Sequence, residues 1–112
     1  MFKLETPSEI TWPVTVNVPR NGGTTTKAVF TGKFKILPGT EFNAIYSSGG
    51  NDEDLCRHVV TGWGADVSDQ EGNPLPFNEE NLNKMIAIPY VRSGLVAAYL
   101  DLSQGRKAAA KN

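Results

Sequence analysis

The sequence predicts an α+β protein: an N-terminal antiparallel β-hairpin packed on three to four C-terminal helices, with room for a short third strand. Three observations support this fold class. Apolar residues alternate along two early segments, a glycine-rich turn separates them, and the apolar spacing then changes to that of helices. The 112 residues, 39% of them hydrophobic, suit one globular domain. We place that domain at residues 1–105 and expect a disordered, basic and alanine-rich tail at 106–112.

The hairpin is predicted from apolar positions at every second residue. These are Trp12, Val14, Val16 and Val18 in the first segment and Ala28, Phe30, Phe34 and Ile36 in the second. Between the segments, Asn21-Gly22-Gly23 supplies the positive φ values that a reversal needs. Gly32 falls on the apolar face, where we expect a bulge or close packing beneath an aromatic ring. Because a lone hairpin is marginal in water, helices must cover its apolar face.

Two helices are predicted in the middle of the chain. The first is short, at Thr40–Tyr46. The second begins after Asn51, a favourable N-cap followed by three acidic residues. Its apolar residues Leu55, Val59 and Trp63 recur every four positions, and flanking glycines predict that this helix ends near Trp63. Residues 65–76 are expected to form a loop or a short strand around Val67.

Two further helices complete the predicted domain. Asn78 is the expected N-cap of the first, with Phe77 and Leu82 as a hydrophobic staple across its start. Pro89 is expected in the first turn of the last helix. That helix has an apolar stripe made of Val91, Leu95, Ala98 and Leu102. Gly105 is a plausible C-terminal cap.

Charge and composition exclude several function classes. Eleven basic and twelve acidic residues give a net charge of -1, which argues against nucleic-acid binding. One cysteine excludes an internal disulfide and a C-x-x-C metal site. No apolar stretch approaches the roughly 18 residues of a membrane span, and no signal peptide is recognisable. We therefore expect a soluble cytoplasmic protein without a membrane partner.

Few residues suggest catalysis. A thiolate nucleophile needs an imidazole within reach, but Cys56 and His58 lie two apart on a helix and point to different sides. Core packing is the better interpretation of Cys56. The acidic residues Asp66, Asp69 and Glu71 lack the spacing of a calcium loop. Lys27, Lys33 and Lys35 are interpreted as a solvated sheet face, with a weak anionic partner as the alternative. We expect no catalytic residues, metal or cofactor.

The last helix is apolar on two sides. Val96 and Leu100 lie roughly opposite the Val91 stripe on a helical wheel. Either the helix is buried centrally, or its second side is a partner surface. Tyr90, Val96 and Leu100 are therefore the candidate partner-binding residues.

Two motifs and the last helix carry a resemblance to a known family. They are V-x-G-W at Val60–Trp63, D-x-x-G-x-x-L-P-F-x-x-E-N-L at Asp69–Leu82, and the helix at Pro89–Leu100. Together they cover roughly half the chain. This set resembles the tail assembly chaperones of long-tailed bacteriophages. Its recurring residues have structural roles: Trp63, Gly72, Phe77, Asn78 and Leu82.

The resemblance implies a small α+β module that binds the tape measure protein, keeps it soluble and helps to recruit tail tube subunits. Such a protein acts in the cytoplasm of the infected bacterial host and is absent from the mature virion. It implies no cofactor, and self-association stays open. The alternative is a structural virion component, such as a tail tube, terminator or connector subunit. A small hydrolase using Cys56 and His58 is the third hypothesis.

Overall fold

A long antiparallel hairpin begins the domain in the computed structural model, which describes residues 1–108. Strand β1 (Ile10–Arg20) pairs with strand β2 (Thr24–Phe34) in a register that sets Val14 opposite Phe30. The reversal uses Gly22 and Gly23, whose φ angles are 90° and 85°. Such angles strain any residue with a side chain, so the predicted turn is confirmed together with its physical reason.

The apolar face of the hairpin is buried only near its open end. Val14 and Phe34 are fully buried there, whereas Ala28 is exposed because the turn end of the hairpin extends past the helices. Gly32 lies under the Phe34 ring, where an added Cβ would stand 2.7 Å from that ring. The expected close packing beneath an aromatic ring is therefore confirmed. Where β2 pairs with the third strand of the sheet, the register shifts between Lys33 and Phe34.

A third strand completes the sheet in a segment that was predicted to be helical. Strand β3 (Val60–Trp63) pairs antiparallel with β2, giving the order β1-β2-β3. The prediction that the helix ends near Trp63 is wrong, because that helix ends at Val59. Residues 65–76 form a loop, the first of the two predicted alternatives, with one isolated bridge between Ser68 and Pro74. This segment forms a strand and not a helical turn because β2 has an unpaired edge, where β-branched residues are favoured.

Two helices precede this third strand in the chain. Helix α1 (Gly39–Ser47) buries none of its residues completely. Helix α2 (Asp52–Val59) begins with the expected N-cap, Asn51, which forms a reciprocal capping box with Asp54. Because acidic residues fill the first turn of α2, the helix dipole adds to the cap.

Helices α3 (Glu79–Ala87) and α4 (Pro89–Ser103) follow each other with only Ile88 between them. The predicted N-cap Asn78 accepts a hydrogen bond from the backbone N–H of Asn81 at 2.8 Å. Pro89 occupies the first turn of α4, as expected. Among the described residues, no single helix is long and apolar enough to cross a membrane. Helices α3 and α4 pass that test only together, and they meet at 102°.

Helix α4 lies against β1 and holds the layers together. It also contacts α2 and α3. A Cβ at Gly94 would lie 2.6 Å from the carbonyl oxygen of Thr15, so only glycine allows this approach. The shared core contains Val14, Val16, Phe34, Leu55, Cys56, Val59, Val60, Trp63, Val67, Leu82, Ile86, Val91, Leu95, Ala98, Tyr99 and Leu102. The protein is therefore an α+β fold of a three-stranded antiparallel sheet and four helices.

The end of α4 is closed by a glycine cap. Gly105 has a φ of 69°, and the backbone N–H of Arg106 donates to the carbonyl of Asp101 at 2.8 Å. The Arg106 side chain also pairs with the Asp101 carboxylate at 3.6 Å. Arg106 thus belongs to the cap, one residue beyond the predicted domain boundary. Residues 109–112 of the predicted tail lie outside the described part of the chain.

Candidate functional site

One side of α4 faces solvent without carrying a charge. We call it the α4 outer face and define it by Tyr90, Ser93, Val96, Ala97 and Leu100. Tyr90, Ser93 and Ala97 are exposed, while Val96 and Leu100 are half-buried. Three of these residues, Tyr90, Val96 and Leu100, are the partner-binding candidates predicted from the sequence.

The charged residues of α4 are engaged elsewhere. Arg92 donates to the Glu53 carboxylate of α2 at 3.2 Å and to the Ile86 carbonyl at 2.9 Å. Asp101 pairs with Arg106. The surface between these two residues carries only apolar, small and hydroxyl-bearing side chains. Charged residues are depleted in the same way at the centres of protein–protein interfaces.

The two interpretations of the last helix each describe part of what is observed. Val96 and Leu100 pack against the core cluster, as a centrally buried helix requires. Each also keeps part of its side chain in contact with solvent. Tyr90 is 37% exposed, and Ile88 beside it is 39% exposed. The helix is thus neither wholly enclosed nor wholly free on its second side.

A groove that the sequence did not indicate lies between α1, α2 and the segment after β2. Its volume is about 570 Å³. Its apolar lining comes from Leu37, Ala44 and Ile45, and its charged or ionisable lining comes from Lys35, Glu41, Asp54 and His58. The periodicity of α1 marks Ile45 as inward-facing, but only the packing shows that α1 stops short of covering it.

The residues of the resemblance motif form one compact structural unit. The indole N–H of Trp63 donates to the Leu75 carbonyl at 2.7 Å. The Phe77 ring meets Trp63 edge to face, with centroids 4.9 Å apart. Gly72 has a φ of 86° in the turn before Leu75, and Leu82 is buried behind the Asn78 cap. These contacts position α3, and through it the start of α4.

One buried amide locks this unit. Asn81 is the only buried polar residue among residues 1–108. Its side-chain N–H donates to the Pro76 carbonyl at 2.8 Å, while its backbone N–H donates to Asn78. The loop and the helix start are thus fixed by a satisfied pair of hydrogen bonds. Asn81 stands in the E-N-L portion of the motif, but nothing in the sequence marked it as buried.

Cys56 and His58 lie in different environments, one buried and the other exposed. Cys56 is 1% exposed, and this burial, aided by the nearby Asp52 carboxylate, raises the pKa of its thiol to about 12. A thiol with that pKa holds very little thiolate at neutral pH. His58 is exposed, and its Nδ1 lies 2.8 Å from the Asp54 carbonyl of its own helix. This environment argues against nucleophilic catalysis at Cys56.

The acidic residues after β3 are used in local structure. Asp66 accepts hydrogen bonds from the backbone N–H and the hydroxyl of Thr31, at 3.0 and 2.9 Å. Asp69 accepts from the backbone N–H groups of Glu71 and Asn73. Throughout residues 1–108, no group of three His, Cys, Asp or Glu side chains could hold a metal ion.

Lys27 and Lys33 lie on the face of β2 opposite the core, and Lys35 follows the end of that strand. Lys27 is exposed, Lys33 is half-buried beside Gly62, and Lys35 reaches the rim of the groove. In the part of the chain that the structure describes, none of the three takes part in an ion pair. The predicted solvated face agrees with this arrangement.

Comparisons of the chain with protein-family models, with curated proteins and with solved structures find nothing that matches.

Proposed function

We propose that this protein is a tail assembly chaperone of a long-tailed bacteriophage. It binds the tape measure protein and keeps it soluble, and it helps to recruit tail tube subunits in the cytoplasm of the infected bacterial host. It leaves before the virion is mature. The proposal rests on the motif resemblance, and the observation that supports it most is the uncharged α4 outer face.

The α4 outer face suits a helical client. An amphipathic helix buries its apolar stripe best against a surface that offers apolar area without unpaired charge. Val96 and Leu100 supply the aliphatic area, and Tyr90 adds an exposed aromatic ring. A tape measure protein is long and rich in such helices, so several copies of a small chaperone bind it by multivalency.

The rigid neighbours of α4 favour binding without refolding. The Gly94 contact with Thr15 fixes α4 on the sheet, and the Arg92 bonds fix it on α2 and α3. A surface held in this way loses little conformational entropy when a client docks.

Co-purification with a tagged tape measure protein tests the proposal. Two exposed positions carry the decisive variants, because they change the surface without opening the core: Ala97→Glu and Tyr90→Ala. We expect Ala97→Glu to reduce the recovered complex at least about 10-fold, since a buried unpaired charge costs more than 1.4 kcal/mol. Val96→Asp and Leu100→Asp should act in the same direction.

Thr25→Asp, on the exposed turn end of the hairpin, is the matched control and should retain the client. Circular dichroism must show that each variant is folded. If the native protein recovers no tape measure protein, the proposal is wrong. If Val96→Asp and Leu100→Asp unfold while Ala97→Glu binds normally, the two residues belong to the core and the site assignment is wrong.

Mass spectrometry of purified virions separates the chaperone from the alternative of a tail tube, terminator or connector subunit. A chaperone is absent from the particles although it is abundant in the infected cell. Stoichiometric recovery of the protein from virions would establish the structural role instead.

A further inference from the structure

The segment before β1 is an exposed arm, which we define as residues 1–9. Every residue in it is exposed, and Phe2 and Leu4 are 83% and 88% exposed. Phe2 and Leu4 alternate with Lys3 and Glu5, so an extended arm directs its two large apolar side chains to one side. Two apolar side chains so close together and so exposed indicate a surface that another polypeptide covers.

The groove beside α1 lies at the same end of the molecule as the root of this arm. Ile10 pairs with Phe34, so the arm leaves the sheet next to Lys35, which lines the groove. Within one chain the arm is nonetheless exposed along its length, and the groove beside its root stays open.

We propose that the arm of one copy docks in the groove of a second copy, and that the exchange is reciprocal. Phe2 and Leu4 then cover Leu37, Ala44 and Ile45 of the other copy. Since arm and groove lie at one end, two copies related by a two-fold axis satisfy both grooves at once and form a closed dimer.

Charge and length both agree with this exchange. Lys3 and Glu5 are the charges next to the apolar pair, and the groove lining offers a partner for each: Glu41 for the lysine and Lys35 for the glutamate. An extended chain advances roughly 3.3 Å per residue, so eight residues reach about 26 Å. That reach lets Phe2 and Leu4 lie well beyond the end of β1.

The open sheet edges do not offer an equal route to self-association. Pro13 and Pro19 remove two backbone donors from β1, and α4 lies against the carbonyl of Thr15. Strand β3 has only four residues. The arm is therefore the extended segment best suited to join two copies. The dimer does not depend on the proposed function, because its formation does not require that the client is a tape measure protein. It carries two α4 outer faces.

Sedimentation velocity over a range of concentrations tests for the dimer. We expect the native protein to dimerise and Phe2→Asp with Leu4→Asp to raise the dissociation constant about 100-fold or more, because two large apolar side chains lose their burial. Thr25→Asp serves again as the control and should dimerise as the native protein does. A native protein that is monomeric at every concentration overturns the proposal.

Disulfide trapping identifies the groove that the arm occupies. Mixing a Leu4→Cys chain with an Ala44→Cys chain should give a covalent dimer of the two. Mixing Leu4→Cys with Thr25→Cys should not. The native Cys56 is buried and does not compete. If a chain that carries both Leu4→Cys and Ala44→Cys forms its disulfide within the monomer, the arm closes its own groove and the proposal is wrong.

Discussion

The hydroxyl of Tyr99 accepts a hydrogen bond from the backbone N–H of Leu37 at 3.0 Å, across 62 residues of sequence. Tyr99 is 1% exposed, and its ring stacks on Phe42 of α1 with centroids 6.2 Å apart. Through this one side chain, α4 is joined both to the segment after β2 and to α1. The contact is important for α1, because α1 buries none of its own residues completely.

Tyr99→Phe should destabilise the protein by about 1 kcal/mol, because the N–H of Leu37 loses its acceptor while the ring is retained. Urea unfolding measures the loss, and hydrogen exchange should increase at Leu37. Tyr90→Phe, which changes an exposed tyrosine on the same helix, should leave the stability unchanged within about 0.5 kcal/mol. Equal losses in the two variants would show that the Leu37 bond contributes nothing specific.

Gly94→Ala should destabilise the protein by about 1–3 kcal/mol, because the new Cβ would lie against the Thr15 backbone, which cannot rotate away. Gly39→Ala is the matched control. Gly39 begins α1 with no heavy atom within 4 Å of an added Cβ, so alanine there should be neutral or slightly stabilising. Thermal unfolding of both variants provides the comparison. A neutral Gly94→Ala would mean that α4 is less closely seated on β1.

Asn78→Ala should cost about 1 kcal/mol, since α3 loses the side-chain acceptor that caps the N–H of Asn81. Asn43→Ala changes an exposed asparagine on α1 and should cost less than about 0.5 kcal/mol. Chemical unfolding separates the two values. If the two costs are the same, the cap does not stabilise α3 in solution.

Stability should fall above pH 9 because of Cys56. Burial raises the pKa of its thiol from the ordinary 9.0 to about 12. Between these values the unfolded chain loses the proton that the folded chain keeps, so the unfolded state binds fewer protons and the free energy of unfolding decreases. The slope approaches about 1.4 kcal/mol per pH unit.

The measurement compares native protein with Cys56→Ala by urea unfolding between pH 8 and pH 10. The difference in the free energy of unfolding between the native protein and Cys56→Ala should shrink by about 1.4 kcal/mol over that range, because alanine has no proton to lose. The variant starts from a lower stability, since it leaves a small cavity in the core. Parallel pH profiles would show that the thiol titrates normally in the folded state.

Local chemistry made much of the fold predictable. The alternation around Val14, the Gly22-Gly23 turn and the caps at Asn51 and Asn78 depend on neighbours in sequence, so the sequence alone specifies them. The secondary structure at Trp63 could not be predicted in this way. Its spacing from Leu55 and Val59 suits a helix, but hydrogen bonding to β2 outweighs that preference.

The part of the candidate site that depends on local geometry could also be predicted from the sequence. A helical wheel locates Tyr90, Val96 and Leu100 on one side of α4 because it needs only local geometry. It does not show which neighbours cover that side. The groove beside α1 gave no signal, since Leu37 and Ile45 look like ordinary core residues until the packing leaves them partly uncovered.

The sequence by itself determined the hairpin, the helix starts and the uncharged side of the last helix, because these follow from residues a few positions apart. Only the tertiary structure decided that Val60–Trp63 is a strand, that Gly94 seats α4 on β1, and that a groove opens beside the root of the arm. Each of those outcomes depends on segments far apart in the chain competing for the same edge, face or space.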